Sequence, residues 1–150
     1  MLLLSLTGTG RAVVTHYALS LKQPWAALLA AGRKTIEVRR WPTPRRGPVL
    51  IHAARAPDPR PQAWALVPPD LAEAARLNGG LVGRGVLLGC RPYPSAADFA
   101  AEQALHLNDP SWFRPGLYGF LFAELRPLPY RRLPGWMRFF TVPDEAVPPS

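Results

Sequence analysis

Lys34, Glu37 and Arg39 fall within the eight-residue run GRKTIEVR, residues 32–39. A lysine, a carboxylate and an arginine on one short segment supply a phosphate or carbonyl binder, a general base and an anion clamp. In an enzyme, Lys34 and Glu37 are the candidate catalytic residues: the lysine polarises or deprotonates, and the carboxylate acts as base toward water. The competing reading is an exposed strand face held by ordinary ion pairs. Upstream, Lys22, Gln23, Pro24 and Trp25 place a cation and an amide at a helix start, where unpaired backbone N–H groups favour an anion. Trp25 is either core or a stacking platform. Downstream, Arg40, Trp41, Arg45 and Arg46 interleave charge with an aromatic, as backbone and base contacts to a single strand require. A solvated basic turn, with Trp41 closing the end of a barrel, is the alternative. His52 has the opposite parity to Ile51 and so could reach the same cleft as Glu37, or serve as a hydrogen-bonded structural histidine.

Other constellations are weaker. Glu102 and His106 are spaced i, i+4 and would act as an acid–base pair or simply stabilise a helix. Cys90 lies in the apolar run VLLGC, where a thiol is packing rather than a nucleophile for His52. The glycines between residues 79 and 89 do not precede a helix as a phosphate loop must, and no GxSxG is present. With one cysteine and three histidines (His16, His52, His106) at no metal-ligand spacing, neither a disulfide framework, a metal site nor a cofactor is expected. That usage fits a reducing cytoplasm.

A chain of 150 residues suits a single domain. Its 18 Lys+Arg against 10 Asp+Glu give a net charge of +8, which draws polyanions because each neutralised phosphate releases condensed counterions. Arginine outnumbers lysine, and its planar fork suits phosphate oxygens and bases. No apolar run is long enough to span a membrane, and residues 1–6 are too short for a signal segment.

Those residues need positioning elements. Residues 1–15 have no helical period; Leu2–Leu6 followed by TGTG reads as a strand and turn or a tail, and is set aside as an extension. Tyr17–Leu21 alternates as a first strand. Pro24 then opens a short helix, with Trp25, Leu28 and Leu29 on one face and Gly32 at its end. Lys34–Arg39 alternates as a strand with Ile36 and Val38 inward; Lys34 shares their parity, but its long stem is expected to carry the ammonium out toward Glu37 and Arg39. Pro48–Ala54, Val82–Cys90, Tyr118–Leu125 and Trp136–Val142 complete the strands. The Pro-rich residues 55–69 read as a surface connection. Helices are predicted over Asp70–Leu77 and from Ser95, capped by its own hydroxyl, to Leu107. About six strands with short flanking helices, and no strict βαβ alternation, favour an α+β domain or a partly open barrel. The domain is placed at 16–143, with a tail at 144–150.

The run LSLKQPWAALLAAGRKTIEVRRW, followed by RRGPVLIHAA and later by YGFLFAELRPLP and LPGWMRFFTVP, resembles the ASCH domain, a family related to the PUA-like barrels of RNA-modifying proteins. The resemblance covers about Tyr17–Val142. It implies a PUA-like, partly open β-barrel with a cleft around Gly32, Lys34, Glu37 and Arg39, and RNA or a nucleoside or nucleotide as partner. Some compact bacterial members hydrolyse acetylated cytidine with a lysine, a threonine and a glutamate; Lys34 matches that lysine, whereas Glu37 stands at the threonine position. The expectation is an RNA- or nucleotide-binding protein that uses Lys22, Trp25, Lys34, Glu37, Arg39, Trp41, Arg45, Arg46 and His52. The alternatives are a small amidohydrolase acting on acetylated nucleosides such as N4-acetylcytidine, and a protein-binding adaptor.

Overall fold

The computed structural model describes residues 3–6 and 12–150, with side chains from residue 14 onward. Its strands are β1 (Leu3–Leu6), β2 (Ala12–Leu21), β3 (Ile36–Arg39), β4 (Gly47–Ala53), β5 (Gly80–Pro92), β6 (Tyr118–Arg132) and β7 (Phe139–Pro143). The helices are α1 (Trp25–Ala30), α2 (Pro61–Trp64), α3 (Ala96–Ala101) and α4 (Gln103–His106). The sheet runs β1-β2-β4-β5-β6-β3, with β7 also on β2. Only β2 and β4 pair in parallel; the rest are antiparallel. No ladder joins β3 to β7 among the described residues, so the sheet curls without closing. Three register shifts between the long strands β5 and β6 supply the curl, since each extra residue bends its strand and increases the twist.

All six residues of α1 are buried, as expected of a helix without a polar face. Alanines let it lie close to the sheet: a Cβ on Gly83 would stand 2.6 Å from Ala30 Cβ, so only glycine fits beneath. Leu19, Leu28, Leu29, Ile51 and Phe120 form the principal core; Tyr93, Phe99 and Leu117 form another, against which Val38 packs. No helix among the described residues is long and apolar enough to cross a membrane.

Several expectations need correction. Residues 70–77 form two 3₁₀ turns, Pro69–Leu71 and Ala74–Arg76, instead of a helix. The carbonyls of Ala74 and Leu77 accept hydrogen bonds from the Gln23 side chain, at 3.0 and 2.9 Å. The Ser95 cap forms as expected, accepting from the Asp98 N–H at 3.2 Å, but the helix breaks at Glu102 (φ −104°) into α3 and α4. The last strand starts at Phe139, not Trp136. Trp136 and Met137 sit in the preceding turn, 72% and 75% exposed. The Leu3–Leu6 segment pairs with β2, while the TGTG turn lies outside the described residues.

Candidate functional site

β3 carries the motif. Its amide neighbours are fixed from two sides: Thr35 N–H donates to Leu105 O of α4 at 2.9 Å, and Phe122 N–H of β6 donates to Thr35 O at 2.9 Å. Ile36 is buried and Val38 packs half-buried against the second core, as the period predicts; Glu37 is buried as well, however, and Val38 shares the cleft wall with Glu37 and Arg39.

Lys34 departs from its expected place. Its side chain has no exposed surface, and Nζ donates to His106 O at 2.7 Å, lies 3.3 Å from Glu37 Oε1 and sits 5.0 Å over the Trp25 ring. The lysine stem runs inward because those three acceptors converge beneath β3, where α4 ends and α1 begins. Burial lowers its pKa, with Glu37 opposing the effect. Lys34 therefore stands behind Glu37, not in front of it.

On the other side of the carboxylate, Arg39 Nε is 3.1 Å from Glu37 Oε2. This is a charge contact without hydrogen-bond alignment, so the buried Nε–H has no acceptor. Arg39 Nη2 instead donates to Ser20 O of β2 at 2.6 Å.

A cleft of about 380 Å³ opens over this pair. Lys22, Trp25, Glu37 and Arg39 line it, together with Ser20, Asp58, Arg60, Asn108, Trp136, Met137 and Arg138. Four cations thus face two carboxylates. Asp58 and Arg60 belong to the cleft although their segment reads in sequence as mere connection. The available signal is the sequence APDPR, in which prolines on either side of Asp58 stiffen the backbone around a charged residue. Asp58 accepts from Trp25 Nε1 at 2.8 Å and from Arg60 Nη2 at 2.7 Å. Burial works to raise its pKa, but these hydrogen bonds outweigh it and hold the carboxyl at about 2. Arg60 in turn covers the Trp112 face at 3.6 Å.

The remaining sequence candidates are not brought together there. The Gln23 amide is consumed: beyond its two donated bonds, Oε1 accepts from Ala27 N–H at 2.9 Å, closing the start of α1. Trp41 is packed edge-on against Phe120 (5.0 Å) and Phe139 (5.7 Å), with Arg138 at 4.9 Å over its ring. Arg45 lies over Tyr17 at 3.6 Å, and Arg46 donates to Thr43 O and Arg45 O, both outside the cleft.

His52 pairs in register with Ser20, which puts their side chains abreast. Ser20 Oγ–H donates to Nδ1 (2.9 Å), and Nε2–H donates to Leu133 O (2.7 Å). Burial lowers its pKa, so it is a neutral, hydrogen-bonded histidine beside the cleft of Glu37 and not within it. Glu102 and His106 do not act as a pair. Glu102 accepts from Tyr93 Oη at 2.8 Å, while His106 donates Nε2–H to Phe99 O and accepts Asn108 N–H at Nδ1. Among the described residues no cluster of His, Cys, Asp and Glu is placed to hold a metal.

The ASCH domain matches residues 19–132. Human activating signal cointegrator 1 is 52% identical over 81 residues, a match covering 49% of this chain and 13% of the relative; the mouse protein is 50% identical over the same length. The chain thus spans a small fraction of these relatives. Among solved structures, ASCH from Zymomonas mobilis superposes with a TM-score of 0.61 at 15% identity, covering 87% of this chain and 90% of the other. A tyrosine-to-phenylalanine mutant of that protein gives 0.56 at 17% identity, over 79% and 76%. At such identities the likeness concerns the fold: an open PUA-like α+β sheet.

Proposed function

We propose that this chain, which belongs to the ASCH domain family, binds RNA through the cleft over β3. ASCH domains are PUA-like and associated with RNA. One observation carries the reading: Lys22, Arg39, Arg60 and Arg138 surround a cleft whose floor holds the Glu37 carboxylate. The cations suit phosphates, and the carboxylate suits an amino or imino group on a base edge. Lys34 neutralises Glu37 from behind, leaving the surplus of positive charge in the cleft for the ligand. The volume suits a nucleotide unit of a strand, not a whole helix. RNA binding followed across a salt titration tests this. Affinity should fall linearly on logarithmic axes as salt rises. Undetectable or salt-independent binding at low ionic strength overturns it.

A second reading, hydrolysis of acetylated nucleosides, draws on the Lys34–Glu37 contact. Lys34, 3.3 Å behind Glu37 Oε1, holds the carboxylate at the cleft floor, the position from which it would act as base toward water. Turnover of N4-acetylcytidine that disappears in Glu37→Gln, with the melting temperature checked separately, supports it; absence of turnover removes it.

A further inference from the structure

The turn between β6 and β7 is held at both ends and leaves a large aromatic uncovered between them. At its start, Leu133 O accepts from His52 Nε2–H at 2.7 Å. Gly135 lies so close to the same ring that a Cβ would meet His52 Cε1 at 2.5 Å. At its end, Arg138 adopts a left-handed backbone (φ 55°), unfavourable for a residue with a Cβ, and extends its guanidinium over Trp41 at 4.9 Å. Trp136 and Met137 stand between these anchors at the cleft wall.

The other tryptophans are committed elsewhere. Trp25 donates to Asp58 and is packed edge-on with Trp112; Trp112 is covered by Arg60; Trp41 is packed edge-on against Phe120 and Phe139 with Arg138 over its ring; Trp64 donates Nε1–H to Asp58 O at 2.7 Å. Trp136, 72% exposed, has no ring, cation or hydrogen-bond contact among the described residues. An exposed indole beside clustered cations is the combination a single strand uses: a flat face for the base and charge for the phosphates on either side. Along a double helix the base faces are stacked inside, and only its two end pairs leave one for that ring to cover.

Resting on the RNA-binding reading above, we propose that Trp136 is a stacking platform for an unpaired nucleobase, with Lys22, Arg60 and Arg138 taking the adjoining phosphates. The ligand is single-stranded RNA or an unpaired loop.

The test uses the whole chain and a fluorescently labelled single-stranded oligoadenylate, with an abasic strand of equal length and an RNA duplex as comparators. Trp136→Ala should weaken oligoadenylate binding by about 10- to 100-fold and leave both the salt slope and the melting temperature unchanged. Trp136→Phe should restore most of the loss. The abasic strand should bind the unaltered protein and Trp136→Ala alike. Salt-dependent binding of oligoadenylate that Trp136→Ala does not weaken, or equal affinity for duplex and single strand, overturns the platform while leaving the cleft as an RNA site. No binding of any RNA by the unaltered protein overturns both.

Discussion

The Lys34 ammonium meets the Glu37 carboxylate at 3.3 Å with the lysine wholly buried and the glutamate side chain 11% exposed. The pair therefore sits at a boundary between core and cleft, and each partner makes the other's position tolerable. Removing the glutamate strands the lysine, whereas Glu37 keeps Arg39 at 3.1 Å if the lysine is removed. Glu37→Gln should destabilise the fold by about 3–5 kcal/mol, because an uncompensated ammonium remains among Trp25 and the His106 carbonyl. Lys34→Met combined with Glu37→Gln should recover much of that loss. Urea unfolding of Glu37→Gln, Lys34→Met and the double variant checks it; additive losses in the double variant contradict the coupling.

Asp58 predicts an acid-sensitive part of the stability. Its folded pKa of about 2 lies below the ordinary 3.8, so its contribution is fully present above pH 3.8 and is lost as pH falls toward 2. The contribution is at most about 2 kcal/mol, and less to the extent that water screens the half-exposed Arg60. Asp58→Asn should flatten the stability profile between those values, as read from thermal melts across acid pH.

Trp41 and Lys22 should separate packing from binding. Trp41→Ala removes a ring packed edge-on against the stacked Phe120–Phe139 pair and should cost about 3 kcal/mol in denaturant unfolding. Lys22→Ala removes an exposed cation from the cleft rim. Its melt should not change, while the logarithmic salt slope of RNA binding falls by about 1.

Gly135→Ala should displace the turn that carries Trp136, because the added methyl enters the His52 ring and the ring is held on both nitrogens. A destabilisation of about 1–3 kcal/mol is expected from this overpacking. Ser20→Ala at the same histidine should cost about 1 kcal/mol, the worth of one hydrogen bond. Comparison of the two melts checks the order.

The strands are legible because alternation is a local signal: residues 36–39 read as a strand with inward Ile36 and Val38, and that strand forms. Burial of a charge is not legible. Nothing in the order of residues tells Lys34 that His106 O lies beneath it, 72 positions away in sequence. Nor does the order of residues show that Gln23 bonds the carbonyls of Ala74 and Leu77, 51 and 54 positions away, in the 3₁₀ turns that stand in place of the predicted helix at 70–77. Trp41 and Trp136 are alike as sequence, each beside an arginine or a methionine in a short basic or apolar stretch. Only the fold packs one against Phe120 and Phe139 and leaves the other bare. Asp58 and Arg60 are hidden because a proline-rich stretch without periodicity reads as a path between elements, whereas here its stiffness fixes a carboxylate against Trp25.

The bond from Arg39 Nη2 to Ser20 O crosses from β3 to β2, two strands that share no ladder. In mechanical terms the sheet is a rolled strip fastened there by a side-chain clasp. Because a guanidinium has five N–H donors, Arg39 can keep that clasp shut and still offer hydrogen to an arriving anion. Deuterium uptake at the free edge of β3 should rise in Arg39→Ala while the β5–β6 amides stay protected, a local loosening of the roll in place of a global unfolding.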